Sequence, residues 1–205
     1  MVFPVDLVST LSGASLGQLQ NWRATDLLVP EISRRPRALY SFRDVVALRT
    51  MVRLRSQVSL QKIRAAFNTL REFDLTEHPS SYELLEHDNS IFLVHDDEGI
   101  DLVKRKGQRL LMTLDDVFSP FQNLQGNAVV DFRRPAPDIA VREQRMGGWP
   151  TIDGTRVGYD TVANLQRGDD PMTPEEVNYF YPTVSPTAAE HALAFDTVVR
   201  ERKRG

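Results

Sequence analysis

The stretch LSGASLGQLQNWRATDLLVPEISRRPRALYSFRDVVAL, residues 11–48, contains two short helix signals and then a basic segment. Residues 5–11 and 15–24 are each predicted to be a helix, and the turn between them contains Gly13. Ser15 is a good N-cap for the second helix, because a serine hydroxyl can accept a hydrogen bond from an unpaired amide of the first turn. Two short helices joined by a glycine-containing turn are typical of a helix-turn-helix.

The segment after the second helix is irregular and basic. Its cationic residues lie on either side of a proline and are Arg34, Arg35 and Arg37. Ser41 predicts the N-cap of a third helix that runs to about Arg55, because Asp44 follows three residues later, close to a capping box. Ser59 predicts the start of a fourth helix, whose inward side is apolar. The chain therefore begins with a helical unit over residues 1–72.

The middle of the chain predicts strands. SIFLV and IDLVK, residues 90–94 and 100–104, flank the polar turn HDDEG and predict a central β-hairpin. RLLMTL, residues 109–114, predicts a third strand. FDLTEHPS and RRPAP, residues 73–80 and 133–137, predict boundaries, because Pro-rich segments stay extended and bury little surface. The chain is thus divided into three expected units, with separate functions for the first and last: residues 1–72, 73–137 and 138–205.

The last part combines turn chemistry with helix starts. GGWPTIDGTRVGYDTV, residues 147–162, has four glycines and a proline, which predicts short strands joined by turns. A helix is predicted over residues 161–167 and is ended by Gly168. Thr173 and Ser185 predict the N-caps of two further helices, since each precedes a proline at the first helical position. The whole pattern predicts an α+β fold whose C-terminal domain is small and helical with short strands.

Composition excludes several classes of protein. None of the 205 residues is Cys, which excludes disulfide frameworks, thiolate metal sites and Cys nucleophiles. No apolar run approaches the roughly 20 residues that a membrane helix needs. The N-terminus also lacks the pattern of a signal peptide. We therefore expect a cytoplasmic protein with no membrane partner.

The charge is distributed unevenly along the chain. Residues 1–72 carry a net charge of +6, residues 73–140 carry −7 and residues 141–205 carry −2. The basic first third could attract a polyanion, because neutralising phosphates releases counterions. It could equally be an ordinary solvated surface.

An ordered set of motifs in residues 5–72 resembles the MerR-type winged helix-turn-helix. The set comprises a glycine-containing turn, a helix with a leucine and an aromatic residue, Leu-Leu-x-Pro, a basic wing, Tyr-Ser-x-x-Asp-Val and a Ser-Leu-x-x-Ile helix start. The matching residues are Gly13-Ala14-Ser15, Leu19, Trp22, Leu27-Leu28, Pro30, Tyr40-Ser41, Asp44-Val45, Ser59-Leu60 and Ile63. The sequence departs from the family at Gln20, where many relatives carry arginine, and it lacks a long dimerisation helix after the fourth helix.

The resemblance implies that residues 15–24 form a recognition helix that reads DNA. Gln18 and Asn21 would lie on its solvent side, where their amides can pair with adenine in the major groove. The arginines of the wing would contact phosphate or the minor groove, and Arg43 could contact phosphate or pair with an acid. The residues expected to contact DNA are Ser15, Gln18, Asn21, Arg34, Arg35, Arg37 and Arg43.

Residues 138–200 resemble a small domain of unknown function with the signature Gly-x-Pro-x-Ile-x-Gly-Thr-Arg. The matching residues are Gly148, Pro150, Ile152, Gly154-Thr155-Arg156, Gly168, Glu175-Glu176-Val177, Tyr181-Pro182 and Ala192-Leu193. Such domains are frequent in candidate antitoxins that are encoded beside PIN-domain toxins. Together the two resemblances imply a VapB-type antitoxin that binds operator DNA and neutralises a PIN-domain (VapC-type) ribonuclease toxin.

Two C-terminal features have more than one interpretation. Gly154, Thr155 and Arg156 could form a structural turn in which the arginine pairs with Asp153 or Asp160, or they could bind phosphate. The basic end RERKRG could cap a helix electrostatically, or it could bind the metal-holding carboxylates that the resemblance implies for a PIN nuclease. The candidate toxin contacts are Arg200, Arg202, Lys203 and Arg204.

The sequence carries no recognisable catalytic motif. The turn HDDEG, residues 95–99, scatters alternate side chains to opposite faces, and no HExxH, HxH or G-x-S-x-G spacing occurs. We therefore expect a protein that is not an enzyme and uses no cofactor or metal. The alternative to an antitoxin is a free-standing MerR-like regulator with a C-terminal sensor domain. A homodimer is expected in either case, because two-fold operators mirror two-fold proteins.

Overall fold

The computed structural model describes residues 1–72, 83–87, 90–95, 98–103, 109–111 and 118–202, and it confirms the α+β class. Its α-helices are α1 Val5–Ser12, α2 Leu16–Ala24, α3 Phe42–Gln57, α4 Leu60–Glu72, α5 Tyr159–Leu165, α6 Pro174–Phe180 and α7 Pro186–Arg202. Its strands are β1 Phe3–Pro4, β2 Leu39–Tyr40, β3 Glu83–His87, β4 Ser90–His95, β5 Glu98–Asp101, β6 Arg109–Leu111, β7 Phe121–Gln122, β8 Ala128–Val129, β9 Ile139–Ala140 and β10 Thr151–Ile152. None of the described helices is long and apolar enough to cross a bilayer.

Local capping defines the N-terminal helices. Gly13 ends α1 with a φ of 79°, a left-handed conformation that glycine adopts without steric cost. Ser15 caps α2 through a capping box with the third residue of the helix. Ser41 and Asp44 form the corresponding box at the start of α3. Both predicted caps are confirmed, because each depends only on residues three positions apart.

The C-terminal helices show one difference from the sequence prediction. Thr173 caps α6 with a proline at the first turn, and the Ser185 hydroxyl accepts a hydrogen bond of 3.1 Å from an amide of α7, as predicted. Helix α5 begins at Tyr159 and not at Thr161, because Gly158 serves as its N-cap. The side chain of Asp160 then lies in the first turn, where a carboxylate is favoured by the helix dipole.

Four antiparallel strands in the order β3–β4–β5–β6 form the central sheet. The predicted hairpin is confirmed by the pairing of β4 with β5, in which Val94 lies opposite Gly99. The predicted third strand is described only over β6. Strand β3 was not predicted, because its short sequence ELLEH lacks strong alternation and turn signals. The tip of the hairpin and the FDLTEHPS link lie outside the described residues.

This sheet packs against the end of α3 and against α4. Leu54 of α3 and Ile63 and Leu70 of α4 are buried in one cluster with Ile91 and Leu102. The sheet therefore extends the helical unit and covers the apolar side of its fourth helix, whose inward face was predicted.

A second and larger core is shared by residues from both ends of the chain. Leu7, Leu11 and Val45 of the first helical unit belong to the same buried cluster as Val162 and Phe195. The expected sequence boundaries therefore do not separate the packing, because the apolar faces of α1 and α3 are completed by residues after 130. The first and last units thus share one core, and their separate functions stay a prediction.

Close contacts mark the interface between the two ends. The rings of Phe3 and Trp149 lie 5.6 Å apart, and those of Phe42 and Phe132 lie 5.8 Å apart. Gly148 has a φ of 81°, and a Cβ atom at this position would overlap the Phe42 ring. The signature glycine thus allows the C-terminal domain to approach the start of α3 closely.

Arg49 of α3 is fully buried at the centre of this assembly. Its Nη1 donates to the Leu11 carbonyl at 2.7 Å, and its Nη2 donates to the carbonyls of Phe118, Ser119 and Val130 at 3.1, 3.0 and 2.7 Å. Burial lowers the pKa of the guanidinium to about 10. Through these hydrogen bonds, the Arg49 side chain connects the end of α1 to the segment that leads into the C-terminal domain.

Candidate nucleic-acid interface

The N-terminus of α2 is held by a reciprocal pair of hydrogen bonds. The Ser15 hydroxyl accepts from the Gln18 amide at 3.1 Å, and the Gln18 side-chain oxygen accepts from the Ser15 amide at 2.8 Å. The oxygen atoms of both side chains are therefore engaged in the cap, and the contact of Ser15 and Gln18 with DNA stays a prediction. The Gln18 side-chain NH2 retains its donors, so a bidentate contact with adenine would require the cap to open.

The outer face of α2 is polar and exposed. Leu19 and Trp22 are only 2% and 3% exposed, so they anchor the opposite face in the core. Gln20 and Asn21 are exposed, and the Asn21 side chain is left available because only its backbone carbonyl caps the end of the helix. Gly17 is also exposed, which leaves the first turn unobstructed by a side chain. Asn21 of the predicted recognition surface is thus exposed, and its contact with DNA stays a prediction.

The wing is a short hairpin beside this helix. Backbone bonds of 3.1 and 2.8 Å join Ser33 and Leu39, and β2 then pairs with β1. The loop between them carries Arg35 and Arg37 in exposed positions, as predicted. Arg34 differs, because its Nη2 lies 2.9 Å from the Asp26 carboxylate and donates to the Arg23 carbonyl at 3.0 Å. Arg34 thus fastens the wing to the end of α2.

An open cleft separates the recognition helix from the wing. Its lining residues are Gln20, Arg23, Ala24, Arg34, Arg35 and Pro36. Arg23 was not predicted as a site residue. Burial raises the pKa of Tyr40, and Arg23, which lies against the Tyr40 hydroxyl, partly offsets this rise. The only sequence signal for Arg23 was its position near the end of the predicted helix over residues 15–24. Three arginines, Arg23, Arg34 and Arg35, therefore line this groove.

Arg43 pairs with an acid, which is the second of the two possibilities predicted for it. Its Nη1 lies 3.8 Å from the Glu31 carboxylate, which also accepts a hydrogen bond of 2.5 Å from the Ser41 hydroxyl. The buried Asp44 carboxylate accepts from the amides of Glu31 and Ser41 at 2.9 and 2.8 Å. The start of α3 is thus a hydrogen-bonded corner, and Arg43 lies on its exposed side.

The Gly-Thr-Arg signature of the C-terminal domain agrees only in part with its structural interpretation. Gly154 has a φ of 78°, and the Thr155 hydroxyl donates to the Ile152 carbonyl at 2.9 Å, as the structural interpretation predicted. The predicted partners of Arg156 are engaged elsewhere, which corrects that interpretation. Asp153 pairs with Arg134 and Arg142 at 3.4 and 3.5 Å, and Asp160 accepts from the indole of Trp149 at 2.9 Å.

The basic end of α7 is only partly free for a partner. Arg200 donates through Nε to Asp196 at 2.6 Å and through Nη2 to Asn164 at 2.9 Å. Nε thus pairs within α7 and Nη2 joins α7 to α5, so the guanidinium is partly engaged, and the role of Arg200 in toxin capture stays a prediction. Arg202 is exposed beside the first turn of α2. The other two candidates, Lys203 and Arg204, lie outside the described residues.

Sequence comparisons identify both ends of the chain. Residues 3–70 match the family described as MerR HTH family regulatory protein. These residues form a MerR-family helix-turn-helix domain. The match includes the capped helix α2, the wing and the start of α3, so the face described above belongs to the DNA-binding part of the MerR domain.

Residues 139–195 match a family described only as a protein of unknown function, DUF433. The crystal structure of Rv2018 from Mycobacterium tuberculosis resembles the chain with a TM-score of 0.53 and 13% identity, over 93% of this chain and 96% of that chain. At this identity the likeness concerns the fold alone, but it includes both the MerR domain and the DUF433 domain. No curated protein sequence matches the chain.

The DUF433 domain has one exposed feature that sequence reasoning missed. Tyr179 and Phe180, at the end of α6, are 80% and 61% exposed, and their rings meet edge to face at 5.3 Å. Only Val177 of this helix is buried. In the sequence, NYFYP was the signal for this exposure. The short helix has a single inward-facing position, Val177, so the aromatic side chains that follow it cannot face the core as well.

The residues that the structure describes include no cluster of histidine and acidic side chains suited to a metal ion. Two acids of the HDDEG turn, Asp96 and Asp97, lie outside them.

Proposed function

We propose that this protein is a transcription regulator of its own operon and the antitoxin of a PIN-domain (VapC-type) ribonuclease. The observation that supports DNA binding is the exposed face of α2 beside a wing that carries Arg35 and Arg37. Cationic wings contact phosphates, which position a protein on the duplex, whereas a side chain on the recognition helix reads base edges. The protein acts by binding and not by catalysis.

Base readout is assigned first to Asn21. Its amide is exposed at the middle of α2 and can form a bidentate pair with adenine. Gln20 lies beside it and provides a second adaptable amide. A single helix of this size reads few base pairs, so we propose a homodimer on a two-fold operator.

The proposed toxin contact is the aromatic pair of Tyr179 and Phe180. Exposed aromatic side chains often dominate the binding energy of protein interfaces. Exposed carboxylates of Asp169, Asp170 and Glu175 precede the pair in the same segment. A ribonuclease needs a basic surface to bind RNA, so its charge would complement this acidic surface. The antitoxin role itself is supported by the combination of the two domain resemblances.

The proposal requires a gene for a PIN-domain ribonuclease beside the gene for this chain, and inhibition of that nuclease is the test. The double variant Tyr179→Ala/Phe180→Ala should lose inhibition by at least about tenfold, since one hot-spot aromatic residue contributes roughly 2 kcal/mol or more. Leu124→Ala is the matched control, because Leu124 is 53% exposed on the distant β7–β8 turn. Equal inhibition by the double variant and the wild type would rule out this docking surface.

A free-standing MerR-like regulator with a DUF433 sensor is the second candidate. It is favoured by the shared core, through which a ligand of the C-terminal domain could act on α1 and α3. The absence of a co-purifying nuclease, together with a small molecule that changes operator affinity, would favour this candidate over the antitoxin.

A further inference from the structure

A second basic cleft lies in the DUF433 domain and shares no lining residue with the cleft between α2 and the wing. It is lined by Arg142, Gln144, Arg145, Gly154, Thr155 and Arg156. Among these described residues none is acidic, and the set includes the Gly-Thr-Arg signature. Only Arg156 belongs to the sequence signature, and the fold brings Arg142 and Arg145 of the preceding turn to the same cleft.

Among the residues that the structure describes, the three arginines find only partial compensation. Arg156 is exposed and has no ion pair or hydrogen bond to any residue that the structure describes. The Nη1 atom of Arg145 is buried, and no described residue accepts a hydrogen bond from it. Within the described part of the chain, the Arg142 side chain makes one long contact of 3.5 Å, with an Asp153 carboxylate that it shares with Arg134. An uncompensated guanidinium costs free energy, and an anion with several acceptor oxygens relieves that cost best.

The backbone places this cleft beside the MerR domain. The residues that follow Arg145 are Met146, Gly147 and Gly148, and all three have positive φ values of 52°, 58° and 81°. This left-handed turn brings Gly147 against Met1 and Gly148 against the Phe42 ring. Phe42 is the first residue of α3, and Met1 leads into β1, which pairs with the base of the wing. The turn that leaves the cleft therefore packs against the start of α3 and against the residue that leads into β1.

We propose that this cleft binds a backbone phosphate of the DNA duplex that the MerR domain holds. Guanidinium groups bind phosphate bidentately, and an open cleft accommodates a continuous strand. None of its described lining residues is aromatic, so stacking on a base is not provided. The inference rests on the proposed DNA-binding function and adds the DUF433 domain to the DNA interface, beyond the wing.

The salt dependence of duplex binding by the full-length protein tests this assignment. Each phosphate contact contributes about 0.9 to the slope of log K against log[salt]. Arg156→Ala should lower the slope by about that amount for each bound copy and should weaken operator and random duplexes alike. Arg156→Lys should retain most of the slope, because it keeps the charge. Arg64→Ala, an exposed arginine on α4, is the control and should leave the slope unchanged.

Two further measurements distinguish failure of the cleft assignment from failure of the proposed DNA binding. If Arg37→Ala in the wing lowers the slope and Arg156→Ala does not, the cleft assignment is overturned while DNA binding by the MerR domain stands. If the wild type binds no duplex, both proposals fail. Titration of the wild type with pyrophosphate distinguishes a free anion from DNA. Pyrophosphate binding that Arg156→Ala removes, without any change in duplex binding, would overturn the DNA assignment in favour of a free phosphate ligand.

Discussion

Arg49 shows how one side chain can connect segments that are far apart in sequence. Its guanidinium donates to carbonyls 38 residues before it and 69 to 81 residues after it, while stacking at 5.3 and 5.5 Å from the Phe121 and Phe132 rings. A buried cation is tolerated here because several carbonyl dipoles surround it. It looks in the sequence like one more basic residue of an amphipathic helix.

Arg49→Met should destabilise the protein by about 3 kcal/mol or more, because several buried carbonyls lose their donor together. Methionine keeps much of the side-chain length, so the change mainly removes the hydrogen bonds. The free energy of urea unfolding measures the effect. Arg64→Met is the exposed control and should stay within about 0.5 kcal/mol of the wild type. Similar values for the two variants would contradict the assigned role of Arg49.

Gly148 provides a second test at the residue scale. Gly148→Ala and Gly126→Ala both place a side chain at a φ near 80°, which costs each about 1–2 kcal/mol. Only at Gly148 would the new methyl group overlap the Phe42 ring, whereas nothing lies within 4 Å at Gly126. Gly148→Ala should therefore lose about 1–3 kcal/mol more than Gly126→Ala in thermal or urea unfolding. An equal loss would mean that the interface can relax around the methyl group.

At the scale of elements, α2 and the wing are the two parts of the proposed DNA interface. The helix presents Asn21 from a surface whose opposite side is fixed by Leu19 and Trp22. The wing presents Arg35 and Arg37, and the Arg34–Asp26 ion pair of 2.9 Å holds it near the end of the helix. Because the ion pair is exposed, its contribution to stability is small, and its main effect is on the position of the wing.

Asn21→Ala should reduce discrimination between operator and mutated sites by about 1–3 kcal/mol at the bases that it reads, with little change in the salt slope. Arg35→Ala and Arg37→Ala should instead weaken binding to operator and random duplexes together and lower the slope. Fluorescence anisotropy over a range of salt concentrations measures both quantities. Parallel losses on operator and random DNA for Asn21→Ala would remove it from the readout.

At the scale of the whole molecule, the MerR and DUF433 domains are packed as one unit. Helix α1 contacts α7, and the aromatic rings of Phe3 and Trp149 bridge the two parts at 5.6 Å. Removal of either domain would expose apolar surface that the other now covers. A truncation after residue 72 is therefore expected to compromise folding, contrary to the modular behaviour that the sequence boundaries suggested.

The two tryptophans make this coupling measurable, because Trp22 lies in the MerR domain and Trp149 in the DUF433 domain. In Trp149→Phe, the fluorescence of Trp22 should change at the same urea concentration as the far-UV circular dichroism. The reciprocal comparison in Trp22→Phe should agree in the same way, since one shared core predicts one cooperative transition. Separate midpoints within either variant would show that the domains unfold independently.

Local chemistry explains why much of the fold was predictable. The caps at Ser15, Ser41 and Thr173 each depend on a partner three residues away, and the sequence contains both partners. The glycine turn after α1 and the ordered MerR motifs are likewise visible in the sequence. The exposed candidates Asn21, Arg35 and Arg37 followed from helical spacing and from the basic run, because solvent exposure on a short element depends on periodicity.

The sequence by itself determined the helix starts that have Ser or Thr caps, the α+β class and the two domain resemblances, since capping and periodicity involve residues that are close along the chain. Only the tertiary structure decided which polar groups are engaged. It placed Arg34 on Asp26, Arg200 on Asp196 and Asn164, and Arg49 among distant carbonyls. Hydrogen-bond partners separated by tens of residues depend on which faces the folded chain brings together, and the shared apolar core determines that arrangement.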